Sequence, residues 1–227
     1  MSMMNKSVSR AGSWIAAVHL CLLLAASGQA STIAGTATQS GQTPWQIVGD
    51  TPQGRLYHCH IDGSSIPEAL VETHFDASPA RVKALVTDYG QFAEFIPDVV
   101  ESRVLLQTGG RQWVYHHLHF GGPVADRVYV IESSDAASRP EMNYYRIDWE
   151  LSDRDFPGLV RGTGVRPRSF SGFWELRPGA GGHGTQARYA VHSDPGGLIP
   201  GWLVVKMTDR YLQQVVAAVR RRLAEKG

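Results

Sequence analysis

The sequence predicts an α+β domain in which a curved antiparallel sheet wraps around one long C-terminal helix, and three observations predict it. Eight extended stretches are separated by turn chemistry. Within one of them, Tyr145, Ile147, Trp149 and Leu151 alternate with Tyr144, Arg146, Asp148 and Glu150, so one face of the sheet is apolar and the other wet. Finally, residues 200–225 place Val204, Met207, Tyr211, Val215 and Val219 on one helical stripe, with Lys206, Arg210, Gln214, Arg220 and Arg221 outside it. A twisted sheet must bury its apolar concave face, and this last helix is the only element long enough to cover it.

Taken in order, the chain begins with a targeting pattern. Lys6 and Arg10 precede a 13-residue apolar run, WIAAVHLCLLLAA, and small residues follow up to Ala30. A charged segment, a short apolar core and small side chains before a cut describe a cleaved export signal over residues 1–30. The run falls short of the about 20 residues that span a bilayer. Cleavage takes away Lys6 and Arg10, so the formal net charge of +1 becomes −1 and 197 residues of the 227 remain. Residues 31–44, rich in Ser, Thr, Gly and Gln, read as a flexible leader. Residues 45–227 read as one domain, expected in the periplasm or outside the cell.

Residues 54–61 and 66–76 read as strands paired around Asp62-Gly63, a hairpin signal. Ser78-Pro79 then offers a helix cap and a first-turn proline, with Val82, Leu85, Val86 and Tyr89 at helical spacing and a break at Gly90. A short helical turn around Phe92 to Phe95 ends at Pro97. Six more strands follow at 99–107, 111–120, 126–134, 142–152, 169–177 and 185–193. Phe170, Trp174 and Leu176, then Ala187, Tyr189 and Val191, continue the apolar face.

Composition and motif content narrow the function classes. Near-neutral charge with scattered basic residues gives no footprint for nucleic acid. There is no GxSxG, P-loop, HExxH or CxxC pattern. Cys21 leaves with the signal, so Cys59 is the single thiol of the mature chain, and a buried position is the expectation for it. The pairs His58/His60 and His117/His119 each share a strand face and would make a zinc site only on adjacent strands. No cofactor and no metal are expected.

Several stretches together resemble the steroidogenic-acute-regulatory-related lipid-transfer (START) domains of the polyketide-cyclase-like, or SRPBCC, helix-grip superfamily. They are Pro79-Ala80-Arg81-Val82, TDYGQFAEFIPDVVESRVL from Thr87, GGPVADRVYV from Gly121, FSGFWELRP at 170–178 and HSDPGGLIPGWLVVKM at 192–207. The resemblance covers Glu68 to the C-terminus. Where relatives read Pro-x-x-Asp-Arg-Asp, this chain has Val128 in place of the second acid, and Asp126-Arg127 reads as a structural ion pair.

The resemblance implies a tunnel between sheet and helix that holds a hydrophobic ligand, lipid or sterol-like. Tyr145, Trp149, Trp174, Tyr189, Val204, Met207 and Tyr211 are the candidate wall. Residues 153–168, with three Gly and two Pro, are the candidate flap over its mouth. The expected protein is a non-enzymatic exported carrier, monomeric, with transient membrane contact and no nucleic-acid partner. Two other readings stand beside it. One is a small enzyme acting on an aromatic or polyketide-like substrate; Arg146, Asp148 and Glu150 are its polar candidates, although alternation turns them away from the apolar face. The other is a closed-core interaction module.

Overall fold

A computed structural model describes residues 44–121, 124–152, 156, 158–159 and 164–226. The export signal and all but the last residue of the 31–44 leader lie outside these described residues, as does most of 153–163. The strands are β1 (Gln46–Thr51), β2 (Gly54–Cys59), β3 (Glu68–Phe75), β4 (Val99–Thr108), β5 (Arg111–Leu118), β6 (Arg127–Ser134), β7 (Tyr145–Leu151), β8 (Ser169–Pro178) and β9 (Thr185–Asp194). They form one sheet in the order β1-β2-β3-β9-β8-β7-β6-β5-β4, antiparallel at every junction. The helices are α1 (Pro79–Val86), α2 (Phe92–Phe95) and α3 (Gly201–Glu225).

Local chemistry sets these elements. Gly109 and Gly110 both take positive φ, and Thr108 pairs with Arg111, so β4 and β5 are joined by a two-residue turn that only such residues permit. The side chain of Ser78 accepts a hydrogen bond from the Arg81 N–H and Pro79 opens α1, so Val82, Leu85 and Val86 face the core. β7 begins at Tyr145 rather than 142, because Pro140–Met142 form a 3-10 turn and Asn143 is left-handed at φ 51°.

The sheet has one strand more than the sequence predicts. β1 is an edge strand in which Ile47 and Val48 stand side by side, both exposed, and the register slips between Ile47 and Gly49. Without alternation or burial it carries no strand signature in the sequence.

α3 has 25 residues, about 37 Å at 1.5 Å per residue, and it lies along the concave face against β3 and β9. Leu212, Val215, Val216, Val219 and Leu223 join a core that includes Val71, Ile131, Ile147, Trp149, Trp174, Leu176 and Val191. Its C-terminal half is tied down by polar contacts as well. Arg81 donates to the Leu223 carbonyl at 2.8 Å, Arg220 to Thr73 Oγ1 at 3.0 Å, and Arg222 to Gln91 at 3.1 Å and to Glu94. Midway, His58 Nε2 meets Asp209 at 2.8 Å. Among the described residues, no side chain of 201–208 makes a hydrogen bond or ion pair, so packing alone holds the first two turns.

The convex face carries the polar members of the alternation. Arg146, Arg177 and Arg188 surround the buried Glu175 at 3.5, 3.0 and 4.0 Å, and Arg188 also reaches Glu72 at 3.1 Å. Arg146 lies 3.6 Å over the Phe173 ring. No helix among the described residues is long and apolar enough to cross a membrane.

Candidate ligand cavity

Two cavities lie between the concave face and α3. The first, about 60 Å³, is lined by Val86, Tyr89, Phe92, His116, Ile131, Trp149, Trp174, Tyr189 and Val215 among others. The second, about 70 Å³, is lined chiefly by Leu118, Phe120, Pro167, Val191, Val204 and Met207, with Arg127, Ser193 and Thr208 as its polar members. Both walls share Tyr129, Phe170 and Tyr211. These three rings therefore partition one elongated space, from the α1–α2 end of the sheet to the first turns of α3.

Register explains how the wall is assembled. His116 on β5 stands opposite Tyr129 on β6, Trp174 on β8 stands opposite Tyr189 on β9, and Trp149 on β7 stands opposite Gly172 on β8. Trp174 and Tyr189 stack with centroids 4.1 Å apart and planes 13° apart. Tyr189 also lies 5.9 Å from Trp149, while Tyr129 lies 5.6 Å from His116 and 5.0 Å from Phe170. Phe92 stacks on His116 at 6.0 Å. Such contacts each contribute about 0.5–1.5 kcal/mol beyond area burial.

No Asp, Glu, Lys or Arg lines the first cavity, and its titratable groups are held neutral. Burial lowers the His116 pKa to about 4. Burial raises the Tyr89 phenol to about 12, with its hydroxyl donating to Ser133 Oγ at 2.6 Å, and it raises Tyr129, Tyr189 and Tyr211 well above the usual range. Desolvation of the charged form is the leading cause in each case.

Of the candidate wall residues, Trp149, Trp174, Tyr189 and Tyr211 line the first cavity, and Val204, Met207 and Tyr211 the second. Tyr145 lines neither, although it packs against the same core. The sequence reading missed His116, Tyr129 and Phe92. Val114, His116, Leu118 and Phe120 keep step on alternate positions of β5 and the residues after it, a signal that places His116 with the apolar residues rather than with His117 and His119.

The His-x-His pairs do not converge. Strands β3, β9, β8, β7 and β6 separate β2 from β5, and no metal-binding group of three is found among the described residues. His117 and His119 instead share Asp126, at 2.7 and 2.8 Å. The Asp126–Arg127 ion pair expected from the sequence is not a direct contact: the Asp126 carboxylate is taken by the two histidines and acts on Arg127 through its charge alone. Arg127, 3% exposed, donates to the carbonyls of Ala125, Pro195 (2.6 Å) and Gly196 (3.3 Å). Cys59 is buried, and desolvation followed by Glu68 raises its thiol pKa. Within the candidate flap, Val165 pairs with Arg127 alongside β6, and Phe156 and Leu159 pack on Tyr115, Val128 and Val130 at the outer face. Pro167 lines the second cavity and Arg168 reaches Asp194 at 3.5 Å, while 153–155, 157 and 160–163 lie outside the described residues.

Residues 68–226 match the family described as polyketide cyclase / dehydrase and lipid transport. The chain belongs to that family, and its fold is the START-like helix grip. It is 26% identical over 176 residues to an uncharacterised protein of Pseudomonas aeruginosa, covering 77% of this chain and 84% of that one. It is similar to the STAR-related lipid transfer protein of Xanthomonas axonopodis, with a TM-score of 0.70, 26% identity, and coverage of 79% of this chain and 98% of the other. The human StarD13 lipid transfer and protein localization domain shares the fold at a TM-score of 0.68 and 15% identity, over 78% and 88% of the two chains. A Streptomyces aromatase/cyclase does so at 0.52 and 14%, over 70% and 94%.

Proposed function

We propose that this protein is an exported, monomeric carrier of a hydrophobic molecule, lipid or sterol-like, working in the periplasm or outside the cell. The observation that carries the reading is the pair of adjoining, aromatic-lined cavities enclosed between sheet and α3. Family membership and the similarity to a STAR-related lipid transfer protein support it, and the targeting pattern of residues 1–30 supports export.

Burial of the ligand's apolar surface supplies about 25 cal/mol per Å². The cavities are small beside the about 300–1,000 Å³ of a drug-sized pocket, so a lipid-sized occupant must displace the Tyr129–Phe170–Tyr211 partition. The first two turns of α3, held by packing alone, are the part of the wall that yields most readily. Leu198 and Trp202, 102% and 70% exposed, lie in sequence between Pro195 and Val204, which line the second cavity, and suit a transient membrane contact.

The family also includes cyclases and dehydrases by description, which keeps an enzyme acting on an aromatic or polyketide-like substrate as the second reading. Proton transfer near pH 7 favours groups with pKa values near that pH, and the ionisable groups of the first cavity wall are shifted away from it. The carrier reading therefore takes precedence.

The test is native mass spectrometry of mature protein purified under mild conditions, followed by extraction and identification of anything bound. Reproducible recovery of an intact hydrophobic molecule is the expected result. A protein that is recovered empty and takes up no lipid after delipidation contradicts the reading.

A further inference from the structure

Seven buried polar side-chain atoms make no hydrogen bond among the described residues: Ser102 Oγ, Trp113 Nε1, His116 Nδ1, Trp149 Nε1, His192 Nδ1, Arg222 Nε and Arg188 Nε, the last of which is ion-paired with Glu72 at 3.1 Å. Two of them, His116 Nδ1 and Trp149 Nε1, belong to residues that line the first cavity, and none of the other five belongs to a residue lining either cavity. The same wall holds Tyr129, Tyr189 and Tyr211, whose hydroxyls are not among these seven atoms. The Tyr89 hydroxyl is satisfied by Ser133.

Folding desolvates the His116 and Trp149 nitrogens without returning a protein partner, and an orphaned buried polar atom destabilises the protein unless something else bonds it. These two nitrogens and the three phenols share one compartment, beside a second walled chiefly by Leu118, Phe120, Val191, Val204 and Met207, whose charged member, Arg127, is taken up by the carbonyls of Ala125, Pro195 and Gly196; the arrangement is amphipathic. The indole N–H only donates, a phenol both donates and accepts, and the wall contains no cation to balance an anion. The stacked Trp174–Tyr189 pair, with Phe92 over His116, presents flat aromatic surfaces.

We propose that the first cavity is a head-group subsite for a neutral, ring-bearing molecule with a hydroxyl or carbonyl oxygen, bonded by Trp149, His116 and the tyrosine hydroxyls, while the apolar remainder passes the Tyr129–Phe170–Tyr211 partition into the second cavity. Phospholipid head groups, phosphates and free carboxylates are disfavoured in this compartment, because no residue lining it carries a cation to pair with their charge. This selectivity rests on the carrier reading and narrows the ligand it carries.

Naphthalene, 2-naphthol and 2-naphthoate test it, since they share one ring system and differ only in the polar group. Delipidated mature protein should bind 2-naphthol about tenfold more tightly than naphthalene, one hydrogen-bonding group being worth about that factor in a desolvated site, and 2-naphthoate most weakly. His116→Leu and Trp149→Phe should each cut the naphthol preference, read as the ratio of the naphthalene to the 2-naphthol dissociation constant within the same variant, to about threefold or less, with circular dichroism confirming the fold. The three-probe comparison on the unaltered protein needs no variant to fold. Equal binding of naphthalene and 2-naphthol overturns the subsite and leaves the carrier reading standing. Preference for 2-naphthoate, or binding of none of the three, also overturns it, and the carrier reading is then decided separately by what native mass spectrometry recovers.

Discussion

The indole of Trp149 lies across Gly172 of the neighbouring strand. A methyl group at Gly172 would sit 2.6 Å from Trp149 Cζ2 and 2.1 Å from the Ala190 carbonyl oxygen, so the aromatic wall of the first cavity depends on a missing side chain in β8. Gly172→Ala is expected to destabilise the protein by about 3 kcal/mol, as overpacking against rigid backbone does. The fall in Tm should be about 6–12 °C for a domain of this size, measured by thermal unfolding. An unchanged Tm would show that Trp149 and β9 can move aside.

His116 ties stability to pH. Its pKa falls from the unfolded 6.5 to about 4 in the fold, so between these values the unfolded chain binds a proton that the folded chain does not. The stabilisation from burying the neutral ring is present above pH 6.5 and is lost as pH falls towards 4, amounting to about 3 kcal/mol. Urea unfolding at pH 7.5 and pH 4.5 should show a larger loss for the wild type than for His116→Leu. Parallel losses in both proteins would place the acid sensitivity elsewhere.

Much of this wall could be read from the sequence because its alternation is regular. Trp149, Trp174 and Tyr189 each keep step with apolar neighbours two residues away, and Val204, Met207 and Tyr211 keep step on α3. Tyr145 keeps step too, but periodicity fixes only the face of a strand and not how far along it a cavity extends. His116 escaped because the motif His-x-His drew attention to His117 and His119, which turn to Asp126. Gly172 leaves no positive signal, since its role is to be absent from a contact. The partition formed by Tyr129, Phe170 and Tyr211 joins residues from β6, β8 and α3, and only the packed fold brings them together.

Arg127 binds the 194–197 turn to the start of β6 through the carbonyls of Ala125, Pro195 and Gly196. Arg127→Met removes these donors and leaves the carbonyls unpaired, at about 1–3 kcal/mol for each one that stays buried. Hydrogen exchange of the amides at 194–204 is expected to speed up, with amides of β3 and β9 less affected. Uniform acceleration over the whole sheet would contradict a local role at the cavity mouth.

Leu198 and Trp202 are exposed apolar residues in the segment between Pro195 and Val204, both of which line the second cavity. Leu198→Asp together with Trp202→Asp should weaken the affinity for phosphatidylcholine vesicles, read by co-sedimentation, about a hundredfold or more, since burial of each side chain contributes about 1.5–3 kcal/mol and about 1.4 kcal/mol is a factor of ten. Thermal stability should stay the same, because neither residue is part of the core. Unchanged vesicle binding would remove this end of α3 from the membrane contact.

The most direct measurement of the central claim is photo-crosslinking of the delipidated protein with a diazirine-bearing sterol, followed by peptide mapping of the adducts. If the ligand lies between sheet and helix, adducts concentrate on peptides carrying Tyr129, Phe170, Met207 and Tyr211, the residues that line the two cavities and the partition between them. Adducts confined to the convex face, on peptides carrying Tyr57 or Arg177, would contradict it.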